Sequence, residues 1–264
     1  MVVETRVHRT RGPAPEGVSV ADYEIVTNAE RPDLHDQLPD AFREVWPEFI
    51  FHDPVSNEYV GRADELFPYF SVLIVREGLV VAGGWGVPLA WDGTVEGLTS
   101  GYDGALVDSV TGFESGVAPD TLSLMAIAVR STFQGERLSV RVVESLAQRA
   151  RSRGLSHVIA PIRPALKARY PLTSMDDFST WRREDGLHID PWIRTHQRMG
   201  ATILASAAAS MTIEGTVSEW ESWAGMAFPQ SGIYVVPGAL DPVVIDRERD
   251  RGVYVEPNLW MQHP

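Results

Sequence analysis

No cysteine occurs among the 264 residues, which excludes a disulfide framework, a thiolate metal site and a cysteine nucleophile. No apolar run approaches the ~20 residues that a membrane span needs. The first residues carry Arg6, His8, Arg9 and Arg11 without the apolar stretch of a signal peptide. The expectation is a soluble, cytoplasmic protein with no membrane partner. A metal site would have to be built from His and carboxylates, and the seven His residues show neither HxH nor HxxxH spacing, so no metal is expected. Internal repeats, low-complexity tracts and Pro/Ser-rich linkers are also missing, and a single domain follows.

What is present is a core-forming composition, 44% apolar with eight Trp, and an uneven charge. Of the net −13, residues 1–129 carry −14, residues 130–198 carry +6 and residues 199–264 carry −5. A basic middle in an acidic protein points to a local anion site rather than to a surface for polyanions.

Residues 1–20 read as a flexible or surface-draped arm. A short strand is expected over Tyr23 to Thr27, and a helix over Pro32 to Val45 with Leu34, Leu38, Phe42 and Val45 inward. Ser71 to Val75 and Leu79 to Val87 form a hairpin around Arg76-Glu-Gly78, and Gly101 to Gly116 a helix. Thr121 to Val129 is a buried strand. Leu138 to Arg153 is an amphipathic helix stopped by Gly154. Strands follow at His157 to Ile162, Ala201 to Ala207, Ser210 to Glu214, Ile233 to Val236, Val243 to Asp246 and Val253 to Val255, with helices at Pro191 to Met199 and Val217 to Ala224.

The informative stretch is the apolar strand ending at Val129, the polar turn Arg130 to Arg137 and the helix from Leu138. A strand that ends in a turn and reopens as a helix presents bare backbone N–H groups, where a phosphate can sit.

This order resembles the GCN5-related N-acetyltransferase superfamily, in which a Q/R-x-x-G-x-G/A turn after the fourth strand binds the pyrophosphate of acetyl-CoA through backbone amides. Here the turn reads Gln134-Gly135-Glu136-Arg137-Leu138-Ser139. Gln134 matches and Ser139 is a small residue at the last place, while Arg137 stands at the central glycine. An Arg there either projects outward to a phosphate or blocks its approach. The resemblance spans roughly residues 20–215. It implies a mixed α/β fold with a central, mainly antiparallel sheet flanked by helices, over residues 21–215. A long insert (164–190) precedes the last core helix, and a Trp-rich C-terminal extension (216–264) packs on the same domain or on a second subunit of a homodimer.

The resemblance further implies acyl transfer to the amine of a small molecule, with the backbone N–H of Ile127 or Val129 polarising the thioester carbonyl. The donor would be acetyl-CoA, another acyl-CoA or an acyl carrier protein. Where the family carries a Tyr as general acid, this chain has His196 in Thr195-His-Gln-Arg-Met-Gly200; an imidazolium can protonate a leaving thiolate. Tyr170 is the alternative acid. The insert would form an acceptor lid, with Asp176, Asp177 or Asp190 meeting an ammonium group. Ser123, Asp108, Glu114 and Asp120 lie near enough in sequence to serve as base, and their spacing selects none. Two other readings are a transferase using an aminoacyl-tRNA donor, the one nucleic-acid partner entertained, and a non-catalytic acyl-CoA-binding module.

Overall fold

The structure, a computed structural model, describes residues 23–264; the arm expected over residues 1–20 lies outside them. Strands β1 (Glu24–Thr27), β2 (Ser71–Arg76), β3 (Leu79–Leu89) and β4 (Thr121–Val129) pair antiparallel in chain order, and β5 (His157–Ile162) joins β4 in parallel. The 14-residue strand β6 (Thr202–Gly215) and the 13-residue strand β9 (Arg251–His263) run antiparallel, and the C-terminal half of β9 also pairs with β5. A short hairpin of β7 (Gly232–Tyr234) and β8 (Val243–Asp246) continues the sheet from the start of β9. The sheet is mixed and mainly antiparallel, as expected.

β4 is largely apolar, and unbroken from Leu124 to Val129, because both of its faces are covered. On one face α1 (Gln37–Arg43) sets Leu38 and Phe42 against Leu73, Val75, Ala126 and Ala128. On the other, α4 (Leu138–Ser152) buries Leu138, Val142, Val143 and Leu146. Adjacent glycines in β3 permit both approaches. A Cβ on Gly83 would lie 2.6 Å from Leu38 Cδ1 of α1, and one on Gly84 would lie 2.9 Å from Val142 Cγ1 of α4. Helices α2 (Pro54–Leu66) and α3 (Tyr102–Glu114) pack on each other beside β3 and β6.

Several elements differ from the sequence reading. The single helix expected over Pro32 to Val45 is a 3₁₀ turn, Pro32–Leu34, followed by the shorter α1, and Val45 is exposed. Helix α2 was not anticipated, since of its residues only Ala63 is buried. The two strands expected over Ala201 to Glu214 are halves of β6, whose register against β9 shifts between Ala207 and Met211. The expected strand Val253 to Val255 is a fragment of β9. Because β9 lies between β5 and β6, residue 215 marks no edge of the sheet, and the segment beyond it supplies an interior strand.

The insert is a small folded unit. Ser174 caps α5 (Met175–Ser179), and Phe178 and His188 are fully buried against each other. Lys167, also fully buried, donates to the carbonyls of Leu240 (2.6 Å) and Tyr170 (3.2 Å) and to Asp241 (3.0 Å), which fastens the insert to the C-terminal segment.

Candidate active site

β4 and β5 are paired only from Thr121 to Ser123 and from His157 to Ile159, and then diverge. The register of β4 against β3 slips between Trp85 and Gly86, so Met125 is bulged opposite them; a bulge bends a strand and raises its twist. The divergence opens a cleft of about 530 Å³ between Leu124–Val129 and Ala160–Arg163. Arg130 donates its N–H to Val81 O on β3 (2.9 Å). Alternation along an antiparallel ladder therefore turns the N–H groups of Ile127 and Val129 away from β3, toward the opened side. Both residues line the cleft.

At the end of β4 the chain turns through Gln134 and Gly135 (φ +92°) into Arg137, which adopts the left-handed conformation (φ 60°, ψ 23°) as the N-cap of α4. The central glycine position of the turn thus keeps a backbone that favours glycine, although an Arg occupies it. No side chain caps α4, so the N–H groups of Leu138 and Ser139, in its first turn, lack an intrahelical partner. Gln134 and Ser139 line the cleft, whereas the Glu136 carboxylate is turned to the hydroxyl of Tyr23. The Arg137 side chain is exposed and, with Arg151, Arg198 and Gly135, borders a second groove between α4 and α6 (Pro191–Arg198). The Arg137 side chain thus points to this groove and not over the turn.

His196 of α6 reaches the cleft wall with Trp192 and Thr195. It is 1% exposed, its Nδ1 lies 2.8 Å from His263 Nε2, and its Nε2 has no partner among the described residues. Burial, with a smaller contribution from His263, lowers its pKa to about 3. The imidazolium expected at this position is therefore corrected to a neutral imidazole, because desolvation disfavours the charged form.

Tyr170 does not reach the cleft. It is 40% exposed and packs edge-on against Trp181, with ring centroids 4.8 Å apart. Two of the three expected acceptor carboxylates are engaged elsewhere, and the third, Asp176, does not line the cleft. Buried Asp190 accepts from the N–H groups of Trp192, Ile193 and Leu166 as the N-cap of α6, and Asp177 accepts from the hydroxyl of Ser174. Of residues 164–190, only Ala165 lines the cleft. Among the base candidates, Glu114 pairs with Arg62, Asp120 accepts from Trp91 N–H and the Thr121 hydroxyl, Asp108 lines a different hollow, and the hydroxyl of buried Ser123 has no partner among the described residues.

The carboxylate that does line the cleft is Glu256 of β9, which the sequence reading missed. It is fully buried and accepts from Arg163 Nε (3.0 Å to each oxygen), the Tyr254 hydroxyl (3.0 Å) and Asn258 Nδ2 (3.2 Å). Asn258 Oδ1 in turn accepts from the Ser210 hydroxyl (2.6 Å), which accepts from Tyr102 N–H (2.7 Å). The legible signal was alternation: Tyr254, Glu256 and Asn258 put polar groups at every second residue of a strand, hence on one face. Behind Tyr102, burial and then the charge of neighbouring Asp53 push Asp103 up to about 8.

A side cavity of about 310 Å³ adjoins the cleft, sharing Trp46, Ile50, Tyr102, Ala126 and Met211 with it. It runs between α1 and α2 and is walled by Phe42, Phe51 and Trp85, with Asn28, His35 and Asp64 also lining it. Among the described residues no group of His, Asp or Glu is placed to hold a metal ion, and no helix is long and apolar enough to cross a membrane.

No family model matches the chain. It is 28% identical to an arginine N-acetyltransferase, avaD, of Aspergillus versicolor, across 92% of this chain and 94% of that protein. Two solved structures superpose over 91% of the chain. The loading GNATL domain of CurA from Lyngbya majuscula does so with a TM-score of 0.59 and 17% identity over 96% of its own length. The GNAT-like decarboxylase GphF, in complex with isobutyryl-CoA, gives 0.56 and 16% over 98%. At such identities these two likenesses are of fold.

Proposed function

We infer that the chain, a member of the GCN5-related N-acetyltransferase superfamily, is an acyltransferase that moves an acyl group from a CoA thioester to the amine of a small molecule. The observation that carries this reading is the conjunction, in one cleft, of β4 N–H groups turned away from β3 and a left-handed turn opening the uncapped start of α4. The first can receive an extended amide-bearing arm and the thioester carbonyl, and the second a pyrophosphate. Gln134 to Ser139 would hold the phosphates, Arg137 would add charge from outside the turn, and Ile127 or Val129 would donate to the carbonyl oxygen as charge develops there.

Transfer forms a C–N bond and breaks the C–S bond; the amine gives up a proton and the thiolate gains one. Glu256 accepts the amine proton, directly or through water, and Arg163 holds the carboxylate in place. His196 donates a hydrogen bond from Nε2–H to the departing sulfur when its Nδ1 accepts from His263. As a neutral imidazole it steadies the thiolate, and the proton comes from water.

An acyl carrier protein presents the same phosphopantetheine arm, and the exposed Arg137, Arg151 and Arg198 would suit its phosphate equally well. Incubation with acetyl-CoA and a panel of amines, headed by arginine because the fungal relative is named for it, should release free CoA thiol. Release from an acyl carrier thioester alone would shift the donor to the carrier protein. No thiol release from either donor, with no CoA binding by calorimetry, overturns the reading.

A further inference from the structure

The side cavity beside the thioester cleft has a chemical polarity that the acyl-transfer reading does not use. Its walls near the shared residues are apolar and aromatic: Phe42 and Trp46 have centroids 5.1 Å apart, and Trp46 and Phe51 stack at 6.4 Å. At its polar end stands Asp64, whose carboxylate takes a hydrogen bond from Asn28 Nδ2 (3.0 Å) and faces His35 Nδ1 (3.2 Å). The Asp64 side chain retains 32% exposure, no Arg or Lys pairs with it among the described residues, and a carboxylate has about four lone-pair sites, of which these contacts use two. Beside it the carboxamide oxygen of Asn28, a residue only 7% exposed, has no partner among the described residues. The Arg at the rim, Arg43, is drawn to Asp40 on its own helix.

A carboxylate with spare acceptor capacity, an unsatisfied buried oxygen next to it and aromatic faces along the approach are the complement of a cation with several donors on an aliphatic stem. We propose that Asp64, with Asn28, His35 and the aromatic wall of Trp46 and Trp85, forms a cation subsite that holds the guanidinium or ammonium end of the acceptor while its reacting amine faces Ala126 and Glu256. This rests on the acyl-transfer reading and adds a substrate class to it: an amine whose far end is positively charged. The stem lies along the aromatic wall, and the cation selects against neutral acceptors of the same length.

The test compares L-arginine with L-citrulline, its uncharged near-isostere, as acceptors for the wild-type protein, Asp64→Asn and Asp64→Glu. Wild type should favour arginine in kcat/KM by about tenfold or more, the discrimination expected of a charge-assisted hydrogen bond. Asp64→Asn should bring that ratio close to one, chiefly through KM, and Asp64→Glu should restore part of it. Agmatine, with the same guanidinium and no carboxylate, separates a decarboxylated source from an amino acid, and Asp64→Asn must lower kcat/KM for whichever of the two the wild type uses. A ratio in Asp64→Asn equal to that of wild type overturns the subsite while leaving acyl transfer intact. If no amine is acylated, titration of arginine into wild type, Asp64→Asn and Trp46→Leu still decides: binding weakened in both variants supports the subsite, and equal or absent binding overturns it.

Discussion

His196 and His263 form a buried imidazole pair, with Nδ1 of the first 2.8 Å from Nε2 of the second and ring centroids 5.0 Å apart. One ring must donate and the other accept, so the two cannot both be imidazolium. Burial holds His196 at about 3 and His263 at about 4, well below the ordinary imidazole value. In the unfolded chain both would titrate near pH 6.5.

The sign of the consequence is fixed. Below pH 6.5 the unfolded state binds protons that the folded state refuses, so stability is lost as pH falls through 6.5 toward 4. The loss approaches about 1.4 kcal/mol per pH unit for each histidine. His196→Gln removes one of the two groups, so its melting temperature should depend less on pH than that of the wild type between pH 6.5 and 4. Taking the difference between the two proteins cancels other groups, including Asp103, whose raised value acts in the opposite direction. Parallel curves for the two proteins would mean that His196 is solvated and free to protonate.

Glu256 stands between structure and chemistry, held by Arg163, Tyr254 and Asn258 while lining the cleft. Glu256→Gln keeps the shape and an acceptor oxygen but removes the basic group. Turnover should fall by about 10² or more, the usual scale for a general base, with little change in the KM of the acyl donor. Glu256→Ala is the less informative variant, because leaving Arg163 without its partner costs about 3–5 kcal/mol of stability. Full turnover in a folded Glu256→Gln variant would return the role of base to water alone.

The fold was legible where one pattern dominated. β4 from Leu124 to Val129 is an unbroken apolar run and α4 carries a clear 3.6-residue pattern, so the strand, turn and helix that border the cleft were legible from residues alone. The opposite wall of the cleft and the side cavity were not legible, for physical reasons that differ by element. Helix α2 buries little, so its apolar periodicity is faint; its clearest signal was Asp53 before Pro54, an N-cap whose carboxylate accepts from Ser56 N–H at 2.7 Å. β9 mixes Glu256, Pro257 and Asn258 into a strand, which breaks the apolar run that marks a buried strand even as it builds the polar face of the site. Tyr170 shows the opposite error. Its residue type and position in a long connection suggested chemistry, but its ring is part of an aromatic cluster with Phe178 and Trp181.

Gly84 couples packing to the site. A Cβ there would meet Ala126 O at 2.6 Å, Ile127 Cγ1 at 2.8 Å and Val142 Cγ1 at 2.9 Å, contacts with the strand that lines the cleft as well as with α4. Gly84→Ala should therefore destabilise by about 1–3 kcal/mol, the range for overpacking. It should also lower kcat by displacing the Ile127 N–H. A thermal melt checks the first effect and a thiol-release assay at permissive temperature the second. An unshifted melting temperature would show that β3 and β4 can separate without cost at this point.

Arg137 is where the proposed donor site can be tested. Its left-handed backbone, at φ 60°, is costly for a residue with a Cβ, and its side chain is exposed beside Arg151 and Arg198 rather than folded over the turn. Two variants separate backbone from charge. Arg137→Ala keeps the strained backbone and loses the guanidinium; Arg137→Gly loses the guanidinium but relieves the strain. If the guanidinium meets a phosphate of CoA, both variants should bind CoA more weakly, by about fivefold to tenfold given how exposed the contact is. Arg137→Gly should be the less affected, because its turn is already relaxed in the bound shape. The wild-type affinity should also fall more steeply with added salt than that of either variant, since a screened charge pair is what the substitutions remove. Calorimetry at two ionic strengths measures all of this. Tighter CoA binding by Arg137→Gly than by the wild type would mean that the Arg obstructs the turn, and the basic groove between α4 and α6 would then have to serve something other than the donor's phosphates.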